Sequence, residues 1–200
     1  MRNQLLTSRF ERAFEVVNQL HAEQYRKGSN VPYISHLLAV SALVLEDGGD
    51  EDQAIAALLH DAVEDQGGLE TLRFIEGHFG QRVARIVKDC SDSFYTPKPA
   101  WIERKQSYLE NLKDADADVL RVSIADKLHN ARSILSDLHT HGDLVWERFN
   151  GGKDGTLWYY NSLLEIFRER SVSPMVGELG RVVSRIEEIG FIPSLNIDQY

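Results

Sequence analysis

Apolar positions recur along the chain at spacings of three and four. Leu6, Phe10, Ala13, Phe14, Val17 and Leu20 form one such stripe, which predicts a first helix over about residues 3–25. The stretch RKGSNVPY, Arg26 to Tyr33, interrupts it. Gly28, Ser29, Asn30 and Pro32 all disfavour helix, so a loop is expected there. Ser35 is placed to cap a second helix, running through Leu45 and stopping at Gly48-Gly49. Asp50 with Gln53 matches a capping box, and Glu51 and Asp52 suit the positive first turn of a third helix. That helix is expected to run unbroken to Gly67-Gly68. Further helical periods cover about 69–77, 80–91, 100–113, 117–138, 154–169 and 174–189. The stretch Tyr95 to Pro99 and FNGGKDG read as loops, and no β-type alternation appears. The pattern predicts an all-α fold: one helical bundle of about eight to ten helices spanning residues 1–200.

The third helix carries an anomaly. In AALLHDAVEDQGG, Ala56 to Gly68, an apolar run meets His60, Asp61, Glu64 and Asp65. At about 100° per residue, with His60 at zero, Glu64 falls near 40°, Asp61 near 100° and Asp65 near 140°. Leu59, Ala62 and Val63 fill the opposite arc, while Ala57 and Leu58 occupy the polar sector one turn earlier. The polar patch is therefore local, unlike a solvated face. Unpaired buried charge is costly, and a divalent cation would compensate it; neutral imidazole beside carboxylate suits Mn, Fe, Zn or Ni. Two further candidates exist. His36 falls in the first turn of the second helix, where the dipole favours the neutral ring a metal needs. Asp126 lies in VSIADKLHNARSIL, one turn from Asn130 on the same face.

Composition narrows the options. Hydrophobic residues make up 42% and charged residues 26%, an ordinary globular balance. The net charge of −9 argues against nucleic acid as a partner but allows a small anion in a local basic pocket. The single cysteine, Cys90, excludes a disulfide framework and a four-cysteine zinc site. Asp89 and Asp92 beside it would raise its thiol pKa, so a core role is expected. With no apolar signal core and no membrane-length apolar run, a cytoplasmic protein without membrane attachment is expected.

PYISH, then ALLHDAVED, then IADKLHNAR, in this order, resemble the H…HD…D pattern of HD-domain metal-dependent phosphohydrolases. RK ahead of PYxxH, the continuation HDxxED and the final ADKLxN are similar to the hydrolase domain of RelA/SpoT-type proteins. Those remove the 3′-pyrophosphate of guanosine tetra- and pentaphosphate, (p)ppGpp. The resemblance implies that His36, His60, Asp61 and Asp126 hold one metal ion, Mn²⁺. Glu64 and Asp65 would position and deprotonate the attacking water. Arg26 and Lys27 would contact the nucleobase and phosphates, Asn130 the nucleoside, and Tyr159 the pocket wall. The products would be pyrophosphate and GDP or GTP. The chain ends at Tyr200 and looks like a stand-alone small alarmone hydrolase. The metal motifs do not separate guanosine polyphosphates from (p)ppApp, a nucleoside monophosphate or NADPH. A non-catalytic nucleotide sensor is a further alternative, but a sensor has no need of a general base.

Several residues also have structural readings. Tyr159, with Trp158 and Tyr160, would serve core packing equally well. Lys153 could join Arg26 and Lys27 against polyphosphate charge. His139-x-His141 with Asp143 is a loosely spaced second metal candidate, and the acidic DADAD, Asp114 to Asp118, is expected to be a solvated turn and helix start.

Overall fold

The computed structural model describes residues 5–94 and 97–191. Among these, helices α1 (Ser8–Leu20), α2 (Ile34–Glu46), α3 (Glu51–Leu59), α4 (Ala62–Asp65), α5 (Gly68–Phe79) and α6 (Gln81–Cys90) are followed by α7 (Trp101–Lys113), α8 (Ala117–His141), α9 (Gly152–Arg170) and α10 (Pro174–Phe191). A 3-10 helix, Gly142–Arg148, joins α8 to α9. The all-α expectation holds: among the described residues the only β pairing is an isolated bridge between Tyr25 and Pro32. None of the described helices is long and apolar enough to cross a membrane.

The long α8 is the central strut. It packs against α2, α3, α6, α9, α10 and the 3-10 helix. Val122, Ile124, Ala125 and Leu128 are fully buried on it. Each large apolar side chain so buried stabilises the fold by roughly 1.5–3 kcal/mol. These contacts set the register of α8, and Asp126 goes where that register carries it. The capping box at Asp50–Gln53 forms as the sequence suggests and fixes the start of α3.

Three local expectations need correction. The first helix stops at Leu20 rather than continuing to residue 25, because residues 24–26 fold back on 31–33: Arg26 N–H donates to Val31 O at 2.8 Å and Tyr33 N–H to Gln24 O at 2.8 Å. Its start is capped by Thr7, and residues 3 and 4 lie outside the described residues. Gly28, at φ 74°, makes the reversal between those pairs. Ser35 is not the cap of α2, which opens two residues earlier than such a cap would place it, at Ile34 behind Tyr33 with no side-chain cap. The third helix is not continuous. It ends at Leu59, and Asp61, at φ −94° and ψ −5°, sits in the bridge region before α4 begins. His60 Nδ1 lies 2.8 Å from the Ala57 carbonyl, next to where the helix stops.

The acidic stretch is the expected exposed turn and helix start: Asp114 lies in a bend, and Asp116 caps α8 and pairs with Arg85 at 2.5 Å. Asp118, in the first turn of α8, does more: it accepts from Gln53 Nε2 at 2.8 Å and Arg82 Nε at 2.8 Å and is a buttress between α3, α6 and α8. Residues 95 and 96 of the expected Tyr95–Pro99 loop lie outside the described residues.

Candidate functional site

Three elements deliver the predicted quartet to one corner. α2 supplies His36 in its first turn, the α3–α4 break supplies His60 and Asp61, and α8 supplies Asp126. His36 Nε2 lies 3.1 Å from Asp126 Oδ1 and 3.6 Å from Asp61 Oδ2. His60 Nε2 lies 3.1 Å from Asp61 Oδ2 and 3.6 Å from Asp126 Oδ1. Each imidazole nitrogen is thus flanked by both carboxylates. His36, His60 and Asp126 are buried, and one ligand atom from each falls within 4.8 Å of the others, close enough to hold a metal ion. Asp61 is the more open member, and Tyr33 Oη donates to its Oδ2 at 2.6 Å.

The chemistry of the corner fits a cation. Both Nε2 atoms are buried without a hydrogen-bond partner among the described residues, and such orphaned groups call for an explanation. Without an ion, burial works against an imidazolium at His60, but Asp61 and Asp126 outweigh it and lift its pKa well above the ordinary value. Burial likewise opposes ionisation of Asp61 and Asp126. The neighbouring His60 holds Asp61 well below the usual carboxylate range, and Lys127 with the histidines does the same for Asp126. A proton on His60 balances one carboxylate. A divalent ion would balance both and use both nitrogen lone pairs.

Outer partners orient the inner ones. The Ala57 carbonyl can only accept, so the neutral His60 ring carries its proton on Nδ1, and Nε2 is the nitrogen that faces the corner and could serve as a ligand. Asn130 Nδ2 donates to Asp126 Oδ1 at 2.6 Å, and Arg26 donates to Asn130 Oδ1 at 2.8 Å. Arg26 also lies over the Tyr33 ring, 5.7 Å from its centroid. His36 Nδ1 sits 2.7 Å from His129 Nδ1.

Glu64 and Asp65 leave α4 in different directions. Glu64 lines a polar pocket of about 160 Å³ together with Asp61, Asp126 and Asp92. Lys98 donates to its Oε1 at 2.8 Å. Burial and the nearby Asp92 raise its pKa despite Lys98. Asp92, gripped by Arg104 at 2.6 Å and Lys105 at 2.7 Å, is held well below the usual range although it too is buried. Asp65 is not among the residues lining that pocket; it accepts from Gln24 at 2.9 Å and lies 3.5 Å from Lys98.

The small pocket continues into a cleft of about 560 Å³, the two sharing Tyr33, Lys105, Lys127, Asn130 and Tyr159. Arg26 and Lys27 line the cleft as the sequence suggests, and Arg148 adds a further cation. Tyr159 is buried yet borders both cavities; its hydroxyl has no hydrogen-bond partner among the described residues, and Lys105 lies 4.9 Å from its ring centroid. Lys153 is not among the residues lining either cavity. His139 and His141 are exposed and contact carbonyls of their own helix, so they form no second metal group among the described residues.

Sequence reading missed Tyr33, Asp92, Lys98, Lys105, Lys127 and His129. Tyr33, three residues before His36, and His129, three after Asp126, had a positional signal. The α7 cations had none. Cys90 is half-buried beside Ser123, and burial pushes its thiol up to about 12, consistent with the core role expected of it.

An H…HD…D quartet drawn onto one corner of a helical bundle defines a class. The HD domain model matches residues 13–157, and the chain belongs to that family. The Xenopus tropicalis guanosine-3′,5′-bis(diphosphate) 3′-pyrophosphohydrolase MESH1 is 40% identical over 117 residues, a match covering 57% of this chain and 63% of that relative. Among solved structures, a metazoan ortholog of SpoT described as hydrolysing ppGpp superposes with a TM-score of 0.75 at 24% identity, covering 90% of this chain and 96% of that one; it supports the fold. The Listeria monocytogenes protein lmo0812 gives a TM-score of 0.66 at 30% identity, covering 76% of this chain and 99% of its own.

Proposed function

We propose that this chain is an Mn²⁺-dependent hydrolase of the 3′-pyrophosphate of (p)ppGpp, releasing pyrophosphate and GDP or GTP, and that it acts as a cytoplasmic enzyme of one HD-type domain. The observation that carries the reading is the buried quartet with two orphaned Nε2 atoms, open on one side to Glu64 and on the other to a basic cleft. The activity named for the MESH1 relative is of this kind.

His36, His60, Asp61 and Asp126 hold the ion in this account. Such an ion supplies Lewis-acid polarisation of a phosphoryl group and acidifies water. Glu64, at the wall of the inner pocket, takes the proton from the attacking water; its raised pKa suits a general base. Lys98 bridges Glu64 and Asp65, so Asp65 acts on the water through the position of Glu64. Lys105 and Lys127, at the junction of the two cavities, face the charge of the leaving pyrophosphate. Arg26 and Lys27 contact base and phosphate in the outer cleft. Asn130, joined to both Arg26 and Asp126, couples nucleoside position to the metal corner. Tyr159 forms the wall between them.

The test is a panel of nucleotides incubated with Mn²⁺-loaded protein, products being resolved by chromatography. Pyrophosphate release from ppGpp, abolished by EDTA, is the expected result. Turnover confined to mononucleotides, to NADPH or to adenosine polyphosphates would reassign the substrate.

A further inference from the structure

Two histidines present Nε2 to the same corner, but the chain fixes them differently. His60 Nδ1 meets a carbonyl, which can only accept, so its tautomer is determined by the backbone. His36 Nδ1 meets another imidazole nitrogen, His129 Nδ1, at 2.7 Å. Only one proton fits between two ring nitrogens at that distance. Either His36 donates and keeps a lone pair on Nε2, or His129 donates and neutral His36 carries its proton on Nε2. In the second case the nitrogen cannot ligate a cation, although Asp126 Oδ1 lies 3.1 Å from it.

We propose that His129 is a positioning residue: its Nδ1 accepts the proton of His36 Nδ1–H and thereby selects the His36 tautomer that can bind a metal ion. Three observations favour this direction. The His36 Nε2 atom is buried and makes no hydrogen bond among the described residues, so a proton there would be left without an acceptor. The His60 ring, facing the same carboxylates, is held in the lone-pair-inward tautomer by the Ala57 carbonyl. His129 is itself located by α8: it follows Asp126 by three residues and lies on the cleft side. Outer-shell partners of metal-bound histidines typically affect metal affinity by about 10–100-fold, and that is the effect expected here.

The proposal rests on the metal reading of this corner and not on the identity of the substrate, so its test uses Mn²⁺ alone. Titration calorimetry of Mn²⁺ is compared for the wild type, His129→Phe and His129→Gln, the last retaining an accepting oxygen. His129→Phe is expected to bind Mn²⁺ about 10–100-fold more weakly, with the metal-free thermal midpoint close to wild type, and His129→Gln is expected to recover most of the loss. Nitrogen-15 NMR of the metal-free wild type is expected to show His36 as the Nδ1–H tautomer. Equal affinity in His129→Phe and wild type, or equal loss in both variants, overturns the proposal. A His36 Nε2–H tautomer in the wild type overturns it as well, and that readout stands even where His129→Phe does not fold. A wild type that binds no Mn²⁺ would instead bring down the metal reading itself.

Discussion

Two acidic clusters in this molecule solve the same electrostatic problem in opposite ways. Between α3, α6 and α8, Asp50, Asp116 and Asp118 meet Arg82 and Arg85, and each carboxylate has a guanidinium within 2.5–2.8 Å. At the corner between α2, α3 and α8, Asp61 and Asp126 face two imidazoles whose Nε2 atoms make no hydrogen bond among the described residues. The first cluster closes its charge within the chain and lies near solvent. The second is buried and leaves donor atoms converging on a common point. Satisfied charge indicates structural support, and unsatisfied charge in a buried corner indicates a place for something else.

The contrast breaks most sharply at Asp126. Asp126→Ala is expected to remove the metal and, with it, turnover. The loss should exceed the roughly 10–100-fold effect of an outer partner, and metal content determined beside activity checks both. Glu64→Gln should retain the metal but lower turnover by about 10²–10⁴-fold, the usual contribution of a general base; loss of metal in that variant would contradict the role given to Glu64.

Acidity separates the same two regions. Glu64 must be ionised to act, and burial with Asp92 raises its pKa. Activity therefore declines as pH falls, with an acid limb above the ordinary carboxylate range. Asp92→Asn removes the neighbouring charge and should move that limb to lower pH in a pH–rate profile. At the surface cluster the sign is reversed. Hydrogen bonds from Arg82 lower the pKa of Asp118, so the pair stabilises the fold above the unfolded carboxylate pKa and that contribution fades as pH falls through the folded one. Arg82→Ala should cost only about 0.5–1 kcal/mol at neutral pH, flatten the acid dependence of the thermal midpoint and leave Mn²⁺ affinity unchanged.

The helices were legible in sequence where periodicity and capping agree. The period over about 100–113 became Trp101–Lys113, and Asp50–Gln53 formed its capping box. Legibility failed where a distant contact overrode local preference. Residues 21–25 contain no helix-breaking glycine or proline, yet pairing of 24–26 with 31–33 draws the chain out of the helix. The wheel drawn through His60 to Asp65 assumed an unbroken helix, and the turn at Asp61 sets His60 relative to Glu64 and Asp65 in a way no wheel can show. The quartet itself was readable because its members lie in apolar helices, where each charge is conspicuous. Lys98, Arg104 and Lys105 were not, because charged residues in a loop and on an amphipathic helix such as α7 look the same whether they face solvent or Asp92. His129 fell between, three residues from Asp126 but pointing at a helix 93 positions away in sequence.

The central claim is that four side chains from three stretches of chain surround a single ion. Anomalous diffraction at the manganese edge, from crystals of the protein grown with Mn²⁺, tests it directly. The account predicts one peak within bonding distance of His36 Nε2, His60 Nε2, Asp61 and Asp126. A peak bound elsewhere, or none at that corner with the four side chains ordered, would contradict it.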